Sequence, residues 1–337
     1  MYKQCLETLL EKQSLTADHM EKVMDSLMEG QLTPVQMAAL LTALRMKGES
    51  IAEIVGAARS MRRHARFIDA GPGAVLDIVG TGGDCAGTFN ISTTSAFVIA
   101  GAGIKVAKHG NRSVSSKCGS ADVLEALGFD LQVPAFTMEC CIQDHGIGFL
   151  FAPTMHPAMK AVAPVRKELK VRTIFNILGP LTNPAGAGFG VFGVYSPVLT
   201  EVFAEVFREL GMKRALIVHG HDGLDEITVT TTSRVSELKD DAITTYDLYP
   251  ERYIGAIGSP EDLTGGNAIE NSAILTEILT GKEQGPKRSV VLLNSGAAIY
   301  TAGVADTLED GVRLAAESID SGAALEKLQI LIRSSKE

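Results

Sequence analysis

The stretch Asp77-Ile-Val-Gly-Thr-Gly-Gly-Asp84, with its tail Thr88-Phe-Asn-Ile-Ser-Thr93, follows an apolar run, Val75 to Val79, that reads as a buried strand. Its glycines therefore stand where backbone N–H groups can converge on phosphate oxygens. A second such loop, Lys108-His-Gly-Asn-Arg-Ser-Val-Ser-Ser116, lies behind another strand-like run, Gly103 to Ala107, and adds fixed positive charge through Lys108 and Arg112. A lone glycine cluster after a strand is more often a tight turn than a phosphate cradle. Two in tandem point instead to a highly phosphorylated ligand.

Working outward, short apolar runs alternate with helical stretches. The runs at 75–79, 104–107, 147–151, 189–195, 214–218 and 289–293 read as strands, and 120–127, 199–210 and 305–317 as helices, which makes this an α/β domain. The segment Phe67-Ile-Asp-Ala-Gly-Pro-Gly73 reads as a connector. Pro180 and Pro184 bracket Leu181-Thr-Asn183, which is expected to cross between domains rather than form a strand. The first 65 residues are a run of short helices. Thr33, Pro34 and Gln36 mark one start, Ser50 and Glu53 form a second capping box, and Gly30 and Gly48 end the helices before them. Met37, Leu40, Leu41 and Leu44 recur at helical spacing. So few helices cannot enclose a large core, and part of their apolar face is expected to meet a second subunit in a homodimer. The expected layout is an all-helical domain over 1–66, with a hinge return near 172–185, and an α/β domain with a central sheet over 74–337.

The phosphate loops match neither common nucleotide motif. A Walker loop needs Gly-Lys-Ser/Thr, but Gly83 is followed by Asp84 and Cys85. The dinucleotide pattern G-x-G-x-x-G fits at Gly80 and Gly82 and fails at Cys85. Composition narrows the class further. A chain of 337 residues with 45% hydrophobic residues is long enough for a substantial core. Its longest apolar runs, 96–104 and 185–195, fall well short of the ~18 residues that suggest a membrane span. The start, Met1-Tyr-Lys-Gln-Cys5, opens an amphipathic helix rather than a signal peptide, so a cytoplasmic location is expected. Five cysteines without C-x-x-C spacing read as reduced thiols, with Cys140 and Cys141 as small buried hydrophobes on a helix. A net charge of −9 and a pI near 5.4 argue against nucleic acid or an anionic membrane as partner.

Two further features carry chemistry. In His219-Gly-His-Asp-Gly-Leu-Asp-Glu226, Asp225 and Glu226 are adjacent carboxylates beyond the end of a strand-like run, the kind of donor that Mg²⁺ takes while water and substrate phosphates complete its shell. Such pairs on loops are usually just solvated. His219 and His221 lack further histidines or cysteines at zinc-ligand spacing and read as loop residues. Arg166, in Pro164-Val-Arg-Lys-Glu168 on a helix opened by His156-Pro157, has no helical acid partner in Glu168 at a spacing of two.

These residues carry a resemblance. GTGGD at 80–84, NIST at 90–93, KHGNRSVSS at 108–116, GSADVLEALG at 119–128, HPAMKAVAPVRKEL at 156–169, RTIFNILGPLTNP at 172–184 and HGHDGLDEIT at 219–228 resemble the anthranilate phosphoribosyltransferases nearly end to end. The departures are Cys85 and Cys118, where the family usually carries small residues such as Gly or Ser, and Lys170 in place of a common Gly. The resemblance implies a nucleoside phosphorylase-like phosphoribosyltransferase fold. It also implies displacement of pyrophosphate from phosphoribosyl pyrophosphate (PRPP) by the amine of anthranilate, with two Mg²⁺ ions accompanying PRPP. Ser92, Asp225 and Glu226 would hold the metal. PRPP would be bound by Gly80, Gly82, Gly83, Asp84, Thr88, Asn90, Ile91, Ser92, Thr93, Lys108, Asn111, Arg112, Ser113, Ser115, Ser116 and Ser120. Arg166 would grip the anthranilate carboxylate, a task suited to a guanidinium fork, with Gly80, Asn111, His109, Gly179 and Pro180 lining the same pocket. A pyrimidine nucleoside phosphorylase would share the architecture but need no Asp-Glu metal pair. A non-catalytic binding paralogue would be expected to show a wider basic face or lost ligand residues.

Overall fold

The computed structural model describes residues 1–113, 117–255 and 257–337. Four helices come first, α1 (Tyr2–Leu10), α2 (Ala17–Met28), α3 (Pro34–Lys47) and α4 (Ile51–Arg63). The two capping boxes form as expected: the Thr33 and Ser50 hydroxyls accept from the N–H groups of Gln36 and Glu53, whose side chains accept from the caps in return. Glu53 is fully buried, and its carboxylate also takes the Leu15 N–H and the Lys47 ammonium, at 2.9 and 2.8 Å.

Strands and helices then alternate through β1 (Val75–Gly80), α5 (Ile91–Gly101), β2 (Lys105–Gly110), α6 (Ser120–Ala126), α7 (Ala135–His145) and β3 (Ile147–Phe151). A helical excursion follows, α8 (Ala152–Met155), α9 (Met159–Leu169) and α10 (Phe175–Leu178), ending in a 3₁₀ turn at Gly179–Leu181. The chain returns to the sheet as β4 (Phe189–Gly193), α11 (Leu199–Glu209) and β5 (Arg214–Gly220), then a hairpin of β6 (Ser233–Lys239) and β7 (Ala242–Leu248). It closes with α12 (Glu251–Ile254), α13 (Ala268–Leu279), α14 (Pro286–Thr301), α15 (Leu308–Asp320) and α16 (Ala323–Ser334). The seven strands run in the order β3-β2-β1-β4-β5-β6-β7, parallel from β3 to β5 and antiparallel through β6 and β7.

Period-2 alternation divides the sheet between two cores. Val191, Leu216, Val218 and Val235 face α5, α14, α15 and α16. Their neighbours Phe192, Val194, Ala215 and Ile217 join the other core, shared by α1 to α4, α9, α10 and α11. Helix α5 is apolar all round over 96–100 and buried there, as a helix under such a sheet must be, while Ser92 on its first turn stays half-buried. The two crossings into the helical region lie side by side: the Ile68 N–H donates to the Pro184 carbonyl at 3.1 Å.

Three expectations need correction. The run 289–293 is not a strand; it is the middle of α14, a sixteen-residue helix opened by Pro286 and buried on most sides. A short apolar run with β-branched residues fits a buried helix as well as a buried strand, and the flanking length decides between them. His219 is no loop residue but lies buried near the end of β5, its Nδ1 2.7 Å from the Val194 carbonyl. The stripe Met37, Leu40, Leu41 and Leu44 is not left over for a partner. All four are buried within the chain, because α9, α10 and α11 cover the helices that the first 65 residues alone could not. The large apolar side chains left exposed on these helices are Leu10, Val35, Met46 and Ile51, of which the first three are 67%, 78% and 83% exposed.

Helices α2 and α4 meet at Gly56, where a Cβ would stand 2.2 Å from the Ala17 carbonyl oxygen. In an open helix Gly→Ala stabilises by about 1 kcal/mol. Gly56→Ala is expected to reverse that sign and destabilise by about 1–3 kcal/mol, because the clash is with backbone. A lowered urea midpoint checks this, and a raised midpoint would show that the two helices part at little cost.

Candidate active site

The candidate residues converge at the carboxyl ends of β1, β2, β4 and β5, where a parallel sheet leaves a crevice for ligands. The loop after β1 is held at both edges. The Thr81 N–H donates to the Gly193 carbonyl at 2.9 Å, and the Gly82 N–H donates to Asp225 Oδ2 at 2.6 Å. Gly82 and Gly83 both have positive φ, 68° and 81°, which glycine adopts without steric penalty. The N–H groups of Gly83, Asp84 and Cys85 make no hydrogen bond among the described residues, so they stay available to an anion. The loop ends at a bridge between Thr88 and Thr264 and leads into Asn90, which caps the eleven-residue α5. The Asn90 amide is fixed from both sides, donating to the Cys118 carbonyl at 3.2 Å and accepting from Asn271 at 3.0 Å. That leaves Ile91, Ser92 and Thr93 on the first turn of a buried helix, where the dipole favours negative charge.

Asp225 and Glu226 are brought to this same place. Asp225 is buried and wedged against β1 and β4: a Cβ on Gly80 would lie 2.2 Å from its Oδ2, and one on Gly193 would lie 1.6 Å from its carbonyl oxygen. Only glycine permits that approach. Glu226, half-buried, accepts from the Ser92 N–H at 3.2 Å. Loss of water pushes both carboxyls well above the usual range; the charge of Asp84 pushes Asp225 further, and the charges of Asp225 and Asp84 do the same to Glu226. Lys108 is buried beside them, its ammonium donating to the Ile78 carbonyl at 2.6 Å and to Ser92 Oγ at 3.3 Å. It also faces Asp77, whose buried carboxyl is pushed up to about 6 by burial. One ammonium thus serves Asp77 and Glu226 at once, leaving net negative charge that a divalent cation would neutralise. Ser92, Asp225 and Glu226 fit Mg²⁺ on that ground. Among the described residues no three His, Cys, Asp or Glu side chains form a metal cluster, as suits an ion that draws much of its shell from phosphate and water.

In the second loop, read as adding fixed positive charge through Lys108 and Arg112, the arginine is already neutralised within the chain. The Arg112 guanidinium is engaged by Asp122 at 2.9 Å and by both oxygens of Glu125 at 2.8 Å. The Asn111 N–H donates to Ser120 Oγ at 3.1 Å, and its Oδ1 accepts from the Arg112 N–H at 2.7 Å. The Ser113 N–H donates to Asp122 at 3.0 Å, while Ser115 and Ser116 lie outside the described residues.

His109, Gly179 and Pro180 do come together. His109 donates its N–H to Asp77 at 3.2 Å, and its Nδ1 lies 3.3 Å from the Gly179 carbonyl. The His156 ring packs 5.0 Å from that of His109. Burial holds both imidazoles neutral at pH 7, pushed down to about 3 for His109 and about 4 for His156. Arg166 sits half-buried on α9 with its guanidinium 5.3 Å from the Phe175 ring, and burial lowers its pKa. No carboxylate among the described residues pairs with it. No hydrogen bond joins it to Asn111 or His109.

Sequence reading missed three residues that hold this site. Asn294, buried on α14, clamps the loop carrying the acidic pair: its Oδ1 accepts from the Ile227 N–H at 3.0 Å and its Nδ2 donates to the Ile227 carbonyl at 2.8 Å. A helix reading of 289–293 would have exposed it as a buried amide in need of partners. His156 was legible only as a helix opener. Arg172 donates to the Gly83 carbonyl at 2.7 Å and had no sequence signal beyond its motif.

Residues 3–65 match the helical bundle domain of the glycosyl transferase family and residues 72–325 match its a/b domain. The chain is 54% identical to the anthranilate phosphoribosyltransferase of Desulfosudis oleivorans, covering 100% of this chain and 99% of that one. It is 52% identical to that of Acetivibrio thermocellus, covering 97% and 95%. Among solved structures, the anthranilate phosphoribosyltransferase of Thermus thermophilus superposes with a TM-score of 0.94 at 44% identity, covering 99% of each chain. The Saccharomyces cerevisiae enzyme in complex with PRPP and Mg superposes at 0.90 with 30% identity, covering 99% of this chain and 98% of that one. Both domains match in order, and relatives more than 50% identical match over nearly their whole length, so this chain belongs to the anthranilate phosphoribosyltransferase family.

Proposed function

We propose that this chain transfers the 5-phosphoribosyl group of PRPP to the amine of anthranilate, giving N-(5-phosphoribosyl)anthranilate and pyrophosphate. The observation that carries the reading is the convergence, at one crevice, of a loop with unused N–H donors and an acidic pair short of positive charge. The yeast relative's complex with PRPP and Mg supports it. Mg²⁺, two ions together with PRPP, would be held by Ser92, Asp225 and Glu226 and would supply neutralisation of the departing pyrophosphate. Gly83 and Asp84 offer unused backbone donors to the phosphates, with Gly82, Thr88 and the first turn of α5 alongside, and Lys108 stands beneath them. An aniline nitrogen is neutral at pH 7, so no general base is required, and the chain's task is orientation. Arg166 takes the acceptor carboxylate, while neutral His109 and His156 with Gly179 and Pro180 make the wall against which the ring lies.

The division into a helical domain over 1–66 and a catalytic domain over 74–337, with a return near 172–185, is supported by the paired crossings at Ile68 and Pro184. No described helix is long and apolar enough to cross a membrane, and a cytoplasmic biosynthetic role fits the composition. A homodimer through the N-terminal helices would use Leu10, Val35 and Met46. Equilibrium sedimentation is expected to give twice 35.7 kDa, and Val35→Asp with Met46→Glu is expected to give monomers. A wild-type monomer at micromolar concentration would refute the dimer.

Arg166→Ala tests the acceptor assignment. A charge-assisted contact in a partly desolvated pocket is worth about 2–4 kcal/mol, so the KM for anthranilate is expected to rise on the order of tenfold to several hundredfold, with far less change for PRPP. Aniline, which lacks the carboxylate, should react equally poorly with both enzymes. If the variant loses PRPP affinity yet still prefers anthranilate to aniline, Arg166 is a phosphate ligand.

A further inference from the structure

We infer that Arg172 is a positioning residue that sets the direction of the peptide planes in the phosphate loop. Arg172 lies in the short link between α9, which carries Arg166, and α10. Its Nη2 donates to the Gly83 carbonyl at 2.7 Å, and its guanidinium lies 4.2 Å from the centre of the Tyr195 ring. The Tyr195 N–H in turn donates to Thr81 Oγ1 at 3.1 Å, so loop, aromatic platform and arginine form one closed cluster. The other group near the Gly83 carbonyl is the Cys85 thiol, at 3.8 Å a weak donor.

A loop that receives phosphate must turn its N–H groups toward the ligand and its carbonyls away. Glycines at positive φ do not enforce this, because glycine adopts either sign of φ and lets a peptide plane turn over. In a trans peptide the carbonyl and the next N–H point in opposite directions, so fixing one fixes the other. By taking the Gly83 carbonyl, Arg172 aims the Asp84 N–H to the opposite side. Asp225 does the same for the Thr81–Gly82 plane, two peptides earlier, by accepting from the Gly82 N–H. The loop is thus set from one side by an acid of the proposed metal seat and from the other by a cation on the acceptor-binding segment. Stacking on Tyr195 holds the planar fork at fixed orientation, which a flexible ammonium could not reproduce.

The inference rests on the reading that this loop binds PRPP, and its test separates the two. PRPP binding is measured by calorimetry with Mg²⁺ and without anthranilate, alongside steady-state KM values and thermal unfolding. Arg172→Ala is expected to weaken PRPP binding at least tenfold and leave the KM for anthranilate within about threefold, as loss of a charged hydrogen bond predicts. Free guanidinium ion at sub-denaturing concentration should restore much of the affinity, and Arg172→Lys should fall between the two. Unchanged PRPP affinity in a folded Arg172→Ala enzyme would overturn the inference. So would a loss of affinity that tracks lowered thermal stability and that guanidinium does not rescue. Failure of the wild-type enzyme to bind PRPP would instead overturn the reading of the site, and with it this inference.

Discussion

Two adjacent carboxylates held low in a crevice, Asp225 and Glu226, are the constraint around which the rest of this molecule is arranged. Removing a carboxylate from water costs several kcal/mol unless charge or hydrogen bonds replace the lost solvation. The chain supplies partial replacement from three directions, the Gly82 N–H, the Ser92 N–H at the positive end of α5 and the buried Lys108, while the Asn294 amide fixes the residue that follows the pair. Gly80 and Gly193 have no Cβ because Asp225 occupies that space. The compensation is deliberately incomplete in charge, and an ion-binding site needs that deficit.

The same arrangement explains why the acceptor and phosphate halves belong together. Arg166 and Arg172 stand on one helix and the link that follows it, the first without a carboxylate and the second fastened to the phosphate loop. On the proposed assignment, segment α9 to α10 touches both substrates' territories. Two departures from the family's usual residues fall on strained backbone nearby: Cys85 has φ 59° and Lys170, the residue capping α9, has φ 50°. Both are left-handed positions where glycine carries no Cβ penalty, and a side chain there costs on the order of 1 kcal/mol. Cys118 is different, a buried thiol against Asn90.

Much of this was legible in the sequence because the signals are local. Glycine loops behind apolar runs placed β1 and β2, capping boxes at Thr33 and Ser50 placed α3 and α4, and the acidic pair stood beyond β5 as expected. What escaped depends on partners distant in the chain. The hairpin β6 to β7 is polar on one face and turns at Asp240 and Asp241, both at positive φ, without the glycine that usually announces such a turn. The strand reading of 289–293 hid Asn294. The pairing of Arg112 with Asp122 and Glu125 escaped because both acids lie ten or more residues on, in α6.

The most direct measurement is the fluorescence of anthranilate after addition of PRPP, followed across a Mg²⁺ titration for the wild-type chain and for Glu226→Gln. The account predicts that fluorescence falls only when both PRPP and Mg²⁺ are present. It also predicts that Glu226→Gln, though folded, is slowed by at least about an order of magnitude, with a displaced Mg²⁺ dependence. Anthranilate that persists with the wild-type chain, or a Glu226→Gln titration that overlays the wild-type curve, would contradict it.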